Sequence, residues 1–248
     1  MKHDYDKAAE AVSAARHVGV LTGAGISTLS GIADFRGNSE TSFYRDPSKM
    51  RVFDIDEFRR DPSFFYTNIR PMLESIFAAQ PSIIHNALAL LAKTGRVRAV
   101  ATQNIDALHQ KAGSPRVVEL HGSFDTSTCL RCGRTIDLAA LKALLAAKPV
   151  PHCTCGGVFK PDVTFFGESL PDGALEEGAQ DASAADVYLV LGTSLTVSPA
   201  NILPQYALRA GARVVIVNAQ PTMLDSFASF TLGDLQTFGE ALLAHISV

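Results

Sequence analysis

The sequence contains no apolar run approaching the ~18 residues that a membrane-spanning helix needs. It has no excess of positive charge either: 22 Lys and Arg stand against 25 Asp and Glu, a formal net charge of −3. Without an overall basic field, nothing of that kind gathers nucleic acid or anionic lipid. The N-terminal stretch MKHDYDKAAEAVSAARHVGVL carries acidic residues and lacks the apolar centre of a secretory signal. No internal repeat and no low-complexity tract is found. Cysteine is missing outside one short window, since all four fall between Cys129 and Cys155. The scattered disulfides of a secreted scaffold would not cluster this way, whereas one metal site would. The expectation is a soluble, cytoplasmic protein with neither nucleic acid nor membrane as a direct partner.

Apolar material, by contrast, is ample: 47% of the 248 residues are hydrophobic and 19% charged, enough to offset the entropy of ordering a chain. Short β-rich runs at 18–22, 97–102, 117–120, 187–191 and 214–217 alternate with helical patterns at 82–93, 201–210 and 235–245. Nearly continuous apolar strands suit a sheet covered on both faces. The alternation predicts an α/β fold, a Rossmann-like parallel sheet with helices on both faces. Two segments break the pattern. Residues 37–80 are rich in Phe, Arg and Asp; residues 122–168 hold every cysteine and one helix near 137–147. We read them as insertions building a smaller domain, partly helical and partly zinc-binding. The large Rossmann-like unit then comprises 1–36, 81–121 and 169–248.

Several motifs sit where strands end, the place where open parallel sheets bind ligands. Gly23-Ala24-Gly25-Ile26-Ser27 follows the first strand, and its glycines allow close approach of a phosphate. The dinucleotide fingerprint G-x-G-x-x-G is not met, because Thr28 occupies the third glycine's place. Asp34-Phe35-Arg36-Gly37 offers an acid and a base around a ring, although taken by itself a helix cap followed by a turn at Gly37 is the better account. Thr102-Gln103-Asn104-Ile105-Asp106 groups four polar side chains that would be costly to bury unpaired; a helix cap accounts for one of them. His121-Gly122 follows the third strand, and histidine is the side chain suited to act as a base near neutrality. The other six histidines have weaker contexts, His85 and His109 among them on helical patterns. Cys129-Leu130-Arg131-Cys132 and Cys153-Thr154-Cys155 fit a tetrahedral all-cysteine zinc site with no open position, hence structural. The second pair is C-x-C, a tighter turn than usual, and His152 is a possible substitute ligand. Phe165-Phe166-Gly167-Glu168, Gly192-Thr193-Ser194 and Val217-Asn218 complete the set; for the two Phe residues core packing is the plainer account.

Together these segments resemble the sirtuin family of NAD-dependent protein deacylases. GAGIST, SGIADFRG, TQNID, VELHG, the paired cysteines, FFGE, LGTSL and VIVN occur in the family's order, from about residue 19 to 235. The resemblance implies that NAD binds extended between the two domains. Gly23, Ala24, Gly25, Thr28, Asp34, Phe35 and Arg36 would cover the pyrophosphate and nicotinamide ribose. Gln103, Asn104, Ile105 and Asp106 would surround the nicotinamide. Gly192, Thr193, Ser194, Asn218, Ala219 and Leu235 would take the adenosine side. An acyl-lysine peptide would bind as an added strand between Thr164, Phe165, Phe166, Gly167 and Glu168 on one side and Leu195 and Val197 on the other. His121 would be the general base on the ribose hydroxyls and Asn104 would hold the ribose and a water. Zinc would sit on Cys129, Cys132, Cys153 and Cys155.

The sequence departs from the family at Ala33, where proline is usual, and at Thr164, where valine is usual. Sirtuins that prefer succinyl or malonyl lysine carry a Tyr-x-x-Arg pair. Reading Tyr66-Thr67-Asn68-Ile69-Arg70 against it puts Ile69 at the arginine position and Arg70 about 100° round the helix, which implies deacetylation over desuccinylation. Three alternatives stay open from the sequence: a mono-ADP-ribosyltransferase, a catalytically silent NAD-binding regulator and a nucleic-acid-binding zinc module. The last is disfavoured because only Arg134, Lys142 and Lys148, and no aromatic, lie between the cysteine pairs.

Overall fold

The structure, a computed structural model, describes residues 2–33 and 49–246. In chain order, α1 (Lys2–Ala14), β1 (Val18–Thr22) and the single turn α2 (Gly25–Thr28) come first. They are followed by α3 (Ile55–Arg60), α4 (Pro62–Ala78), α5 (Ile83–Lys93), β2 (Val100–Thr102), α6 (Leu108–Lys111) and β3 (Val117–Glu119). Next are β4 (Gly122–Cys129), β5 (Thr135–Asp137), α7 (Leu138–Ala147) and β6 (Phe159–Val163). The remainder is α8 (Ala174–Ala184), β7 (Val187–Leu191), α9 (Leu203–Arg209), β8 (Arg213–Val217), β9 (Phe230–Leu232) and α10 (Leu235–His245).

The large sheet has six strands in the order β3-β2-β1-β7-β8-β9, and every pairing is parallel. Strand residues alternate between two cores. Val18, Val20, Leu189 and Val215 face Ala8, Val12, Leu88 and Phe238 of α1, α5 and α10. Leu21, Tyr188, Val190 and Ile216 face Ala182, Leu203 and Ala207 of α8 and α9. β1 and β7 are buried at every position, which is why they read as continuous apolar runs. The strand order reverses between β1 and β7, so the loops after these two strands diverge and open a crevice.

A smaller antiparallel sheet, β5-β4-β6, stands beside the large one. Its own core joins both predicted insertions: Phe53, Phe58, Phe65 and Tyr66 pack with Phe124, Val163 and Phe165. The rings meet edge-on, Phe58 and Phe165 at 5.5 Å and Phe58 and Phe65 at 5.4 Å, a favoured aromatic geometry. Four helix starts are set by aspartates. Asp54 accepts from the Asp56 and Glu57 N–H groups, Asp61 from Ser63 N–H, Asp137 from Ala140 N–H and Asp234 from Thr237 N–H.

The structure differs from the sequence expectations in detail. The second strand begins at Val100 and not at 97. β9 and the strands of the small sheet carry no strand candidate from sequence: β5 and β9 have three residues each, β4 reads GSFDTSTC, polar along much of its length, and β6 reads FKPDV, buried but interrupted by Lys, Pro and Asp. Among the described residues no single helix is long and apolar enough to cross a membrane.

Candidate active site

A cavity of about 830 Å³ opens at the carboxyl ends of the strands of the large sheet and runs under the small domain. Five strand ends supply its polar wall. After β1 come Gly23, Ala24, Gly25 and Thr28; after β2, Gln103, Asn104, Ile105 and Asp106; after β3, His121. After β7 and β8 come Gly192, Thr193, Ser194, Asn218 and Ala219, with Leu235 at the start of α10. Asp34, Phe35 and Arg36 lie outside the described residues. Every other nucleotide-site residue expected from sequence is on this wall.

The polar groups are fixed by one another. Gly25 N–H donates to the Gly192 carbonyl at 2.8 Å, tying the β1 turn to the end of β7. Asn104, 8% exposed, donates its amide to Gly23 O at 3.2 Å and Ser27 Oγ at 3.1 Å. Ser27 Oγ donates to Asp106 Oδ2 at 2.6 Å, and Leu108 N–H donates to Asp106 Oδ1 at 2.9 Å. Burial raises the Asp106 pKa, opposed by these two bonds. Gln103 Nε2 donates to Thr193 Oγ1 at 2.9 Å. Ser27 closes the glycine motif but carries no site role on sequence grounds; its place two residues past the second glycine is the signal that points to one.

His121 is half-buried at the cavity wall. Its Nδ1 lies 3.0 Å from the Gln103 carbonyl. A carbonyl only accepts, so Nδ1 carries the proton and Nε2 keeps a free lone pair when the ring is neutral. Burial pushes the His121 pKa below the ordinary imidazole value, with the Gln103 bond pulling the other way. The ring is therefore a neutral base at pH 7, aimed by a backbone group that cannot titrate.

On the small-domain side the wall holds Thr164, Phe165, Phe166, Gly167, Glu168 and, across the gap, Val197. The two phenylalanines divide their roles: Phe165 is 1% exposed in the aromatic core, whereas Phe166 is 44% exposed. Leu195 does not reach the cavity. It is fully buried with Val190, Leu203 and Ile216, held by a left-handed backbone (φ 56°) that turns its side chain into the core. The register read on α4 also needs correction. Tyr66 and Ile69 are buried away from the cavity, the Tyr66 hydroxyl donating to Phe159 O, because the Phe58, Phe65 and Phe165 rings cover that half of the helix. The α4 residues that line the cavity are Met72 and Ile76, one and two turns on. Arg70 lies outside it and donates to Leu145 O. No Lys or Arg is among the described residues lining the cavity.

The four cysteine sulfurs lie within 4.8 Å of one another. Cys129 and Cys155 Sγ are 3.6 Å apart, Cys132 and Cys153 Sγ 3.8 Å. A tetrahedron with zinc–sulfur bonds of about 2.3 Å has edges of about 3.8 Å, so the donor set fits one zinc ion and leaves no open coordination position. The tight C-x-C turn places both of its thiols in the cluster. His152 is not part of it; its backbone pairs with Val158.

The sequence profile described as the Sir2 family matches residues 23–199. An NAD-dependent protein deacylase 2 of Archaeoglobus fulgidus is 44% identical over 227 residues, 91% of this chain and 88% of that protein. An NAD-dependent protein deacetylase 1 of Pyrobaculum aerophilum is 45% identical over 214 residues, covering 86% of this chain and 82% of that one. Among solved structures, a complex described as Sir2 with p53 peptide and NAD+ superposes with a TM-score of 0.87 at 38% identity, covering 96% of each chain.

Proposed function

The chain belongs to the Sir2 family, and from that premise we propose that it removes acetyl groups from protein lysines in a reaction that consumes NAD. The products are free lysine, nicotinamide and O-acetyl-ADP-ribose. The observation that carries the reading is His121, whose Nδ1 is tied to the Gln103 carbonyl so that Nε2 is left bare, on the wall of a cavity shared with the glycine turn of β1 and the ends of β2, β7 and β8.

NAD is a substrate here. Its glycosidic bond breaks readily because nicotinamide leaves from a cationic ring nitrogen. The acyl oxygen attacks the ribose carbon as that bond opens. His121 Nε2 then takes a ribose hydroxyl proton and the 2′-oxygen attacks the acyl carbon; the carbon–nitrogen bond breaks as the lysine amine leaves with a proton, and one water adds at the acyl carbon and releases the 1′-oxygen, which leaves the acetyl group on the ribose. Asn104 and Asp106, pinned by Ser27 and the Gly23 carbonyl, present polar atoms that need no rearrangement as charge develops on the sugar. The peptide would enter as an added strand between Gly167 and Val197. Met72 and Ile76, with no cation among the described lining residues, favour a neutral acyl group over a succinyl or malonyl one, whose carboxylate would be desolvated unpaired.

Cys129, Cys132, Cys153 and Cys155 would hold the zinc, which supplies cross-linking of the small sheet. We read residues 1–36, 81–121 and 169–248 as the nucleotide-binding unit and 37–80 with 122–168 as the smaller one. The aromatic core shared by Phe58, Phe124 and Phe165 supports that division.

The test is nicotinamide release from NAD with acetylated and unacetylated versions of one lysine peptide. Release that requires the acetyl group, O-acetyl-ADP-ribose in the mass spectrum, and a loss of about 100-fold or more in His121→Ala are expected. A protein–ADP-ribose adduct in place of that product, or unchanged turnover in the variant, would overturn the proposal.

A further inference from the structure

Behind the polar wall lie two histidines that the reaction does not touch. His85 on α5 and His109 on α6 are 0% and 1% exposed, and their ring centroids are 4.7 Å apart. Their hydrogen bonds fix which nitrogen carries the proton on each ring. Ser82 N–H donates to His85 Nδ1 at 3.1 Å and the Ser82 hydroxyl lies 2.7 Å from the same nitrogen; an N–H only donates, so Nδ1 is bare, the hydroxyl donates to it as well, and the ring proton sits on Nε2. On the other ring, His109 Nε2 is 2.9 Å from Thr22 Oγ1. Thr22 spends its only hydroxyl proton on Thr102 Oγ1 at 2.8 Å, so His109 Nε2 is the donor and its Nδ1 is bare. The two ring atoms left over, His85 Nε2 and His109 Nδ1, are buried and have no partner. One is a donor and the other an acceptor. Buried polar groups are rarely left unpaired, and these two are complementary.

We propose that His85 and His109 form a neutral, tautomer-locked pair, linked ring to ring directly or through one water, that positions Asn104 and His121 through the two threonines at the strand ends. The chain of contacts is continuous. Thr102 Oγ1, which accepts from Thr22, also accepts the Asn104 N–H at 3.0 Å. The Thr22 carbonyl accepts the Gln103 N–H at 2.9 Å, and the Gln103 carbonyl in turn takes the His121 Nδ1–H. Fixing the Thr22 hydroxyl therefore fixes the ends of β1 and β2 against each other, and both groups assigned to the sugar hang from that junction. Burial keeps both rings uncharged, moving His85 to about 4 and His109 downward as well. His85 and His109 are positioning residues; neither lines the cavity.

The functional half of this inference rests on the roles given to Asn104 and His121 above; the tautomer half does not. Two experiments separate them. In protein labelled with ¹⁵N-histidine, long-range ¹H–¹⁵N spectra are expected to show both buried rings neutral and protonated at Nε2; a ring protonated at Nδ1, or charged at pH 7, would overturn the pair. In kinetics, His109→Leu keeps volume but removes the donor, whereas His109→Gln places an amide N–H near the lost Nε2–H. At saturating NAD and peptide, the leucine variant is expected to lose about ten-fold in kcat with peptide KM within about two-fold of the parent. The glutamine variant is expected to recover most of the loss. A leucine variant with parental kcat, or a glutamine variant no better than leucine, would overturn the positioning role. If His109→Leu does not fold, Thr22→Val, which removes the hydroxyl that His109 Nε2–H meets, takes its place in the kinetics, and a parental kcat there would overturn the positioning role. If the unmodified protein itself shows no NAD-dependent turnover, the deacetylase reading has failed and the spectra still judge the pair.

Discussion

Gly25 and Gly192 are packed backbone against backbone: a Cβ on Gly25 would come within 2.7 Å of the Gly192 Cα. They join the β1 turn to the end of β7 at the point where the strand order reverses. Gly192 also has a left-handed backbone (φ 64°), and a Cβ there would lie 2.5 Å from Ile26 N. A left-handed alanine costs about 1–2 kcal/mol before any clash. Gly192→Ala is expected to lower Tm by about 5 °C or more and to raise KM for NAD by about ten-fold. Thermal unfolding and nicotinamide release against NAD concentration check this; parental values for both would contradict it.

The pH dependence follows from His121. Its folded pKa is depressed by burial, and the base works only when neutral. Protonation switches it off, so activity is present at and above neutral pH and is lost as pH falls through the folded pKa, which lies below the ordinary 6.5. The profile of kcat/KM should therefore stay level from about pH 7 downward until it passes the usual imidazole range, then fall with a slope of one proton. An acid limb centred above 6.5 would count against this assignment.

Lys160 is 6% exposed and holds the loop on which the peptide would pair. Its Nζ donates to Pro161 O at 3.1 Å and Val163 O at 2.8 Å, meets Glu168 Oε2 at 2.8 Å and lies 4.1 Å over the Phe165 ring. Glu168 Oε2 also accepts the Phe165 N–H at 2.8 Å. Lys160→Met would leave that carboxylate without its cation, at a cost of about 3 kcal/mol. Steady-state kinetics should show peptide KM raised by about ten-fold and KM for NAD little changed. Equal effects on both substrates would mean that the pair serves the fold alone.

The thiolate cluster predicts one zinc per chain by elemental analysis. Cys153→Ser should lose the metal and expose the small sheet, so that limited proteolysis cuts first within 130–158. A metal-free variant with the parental cleavage pattern would show that the module stands on its Leu141 and Phe159 core instead.

The strand-end logic made most of the site legible. Runs such as 187–191 are continuous and apolar because helices cover both sides, and polar residues directly after them, His121 and Asn104 included, have few places to go except a cleft. Pairs of cysteines at short spacing likewise announce their own geometry. What escaped was set by tertiary packing. Whether residue 69 or 72 of α4 meets the cavity depends on how far the aromatic rings of Phe58, Phe65 and Phe165 extend along the helix, which no periodicity reveals. Leu195 looks like a cleft residue until its backbone turns left-handed. β9 has three residues, one face on the core and one on solvent, too little for alternation to register.

β4 begins at Gly122, next to the proposed base His121, and ends at Cys129, one of the four cysteines whose sulfurs fit a zinc ion. Gly122 is itself wedged, since a Cβ there would sit 2.0 Å from the Asp162 carbonyl of β6. The two ends of the reaction's hardware are thus wired along a single eight-residue strand. An oxidant that consumes the thiolates, or a chelator that takes their ion, is expected to register as lost proton transfer at a sugar hydroxyl.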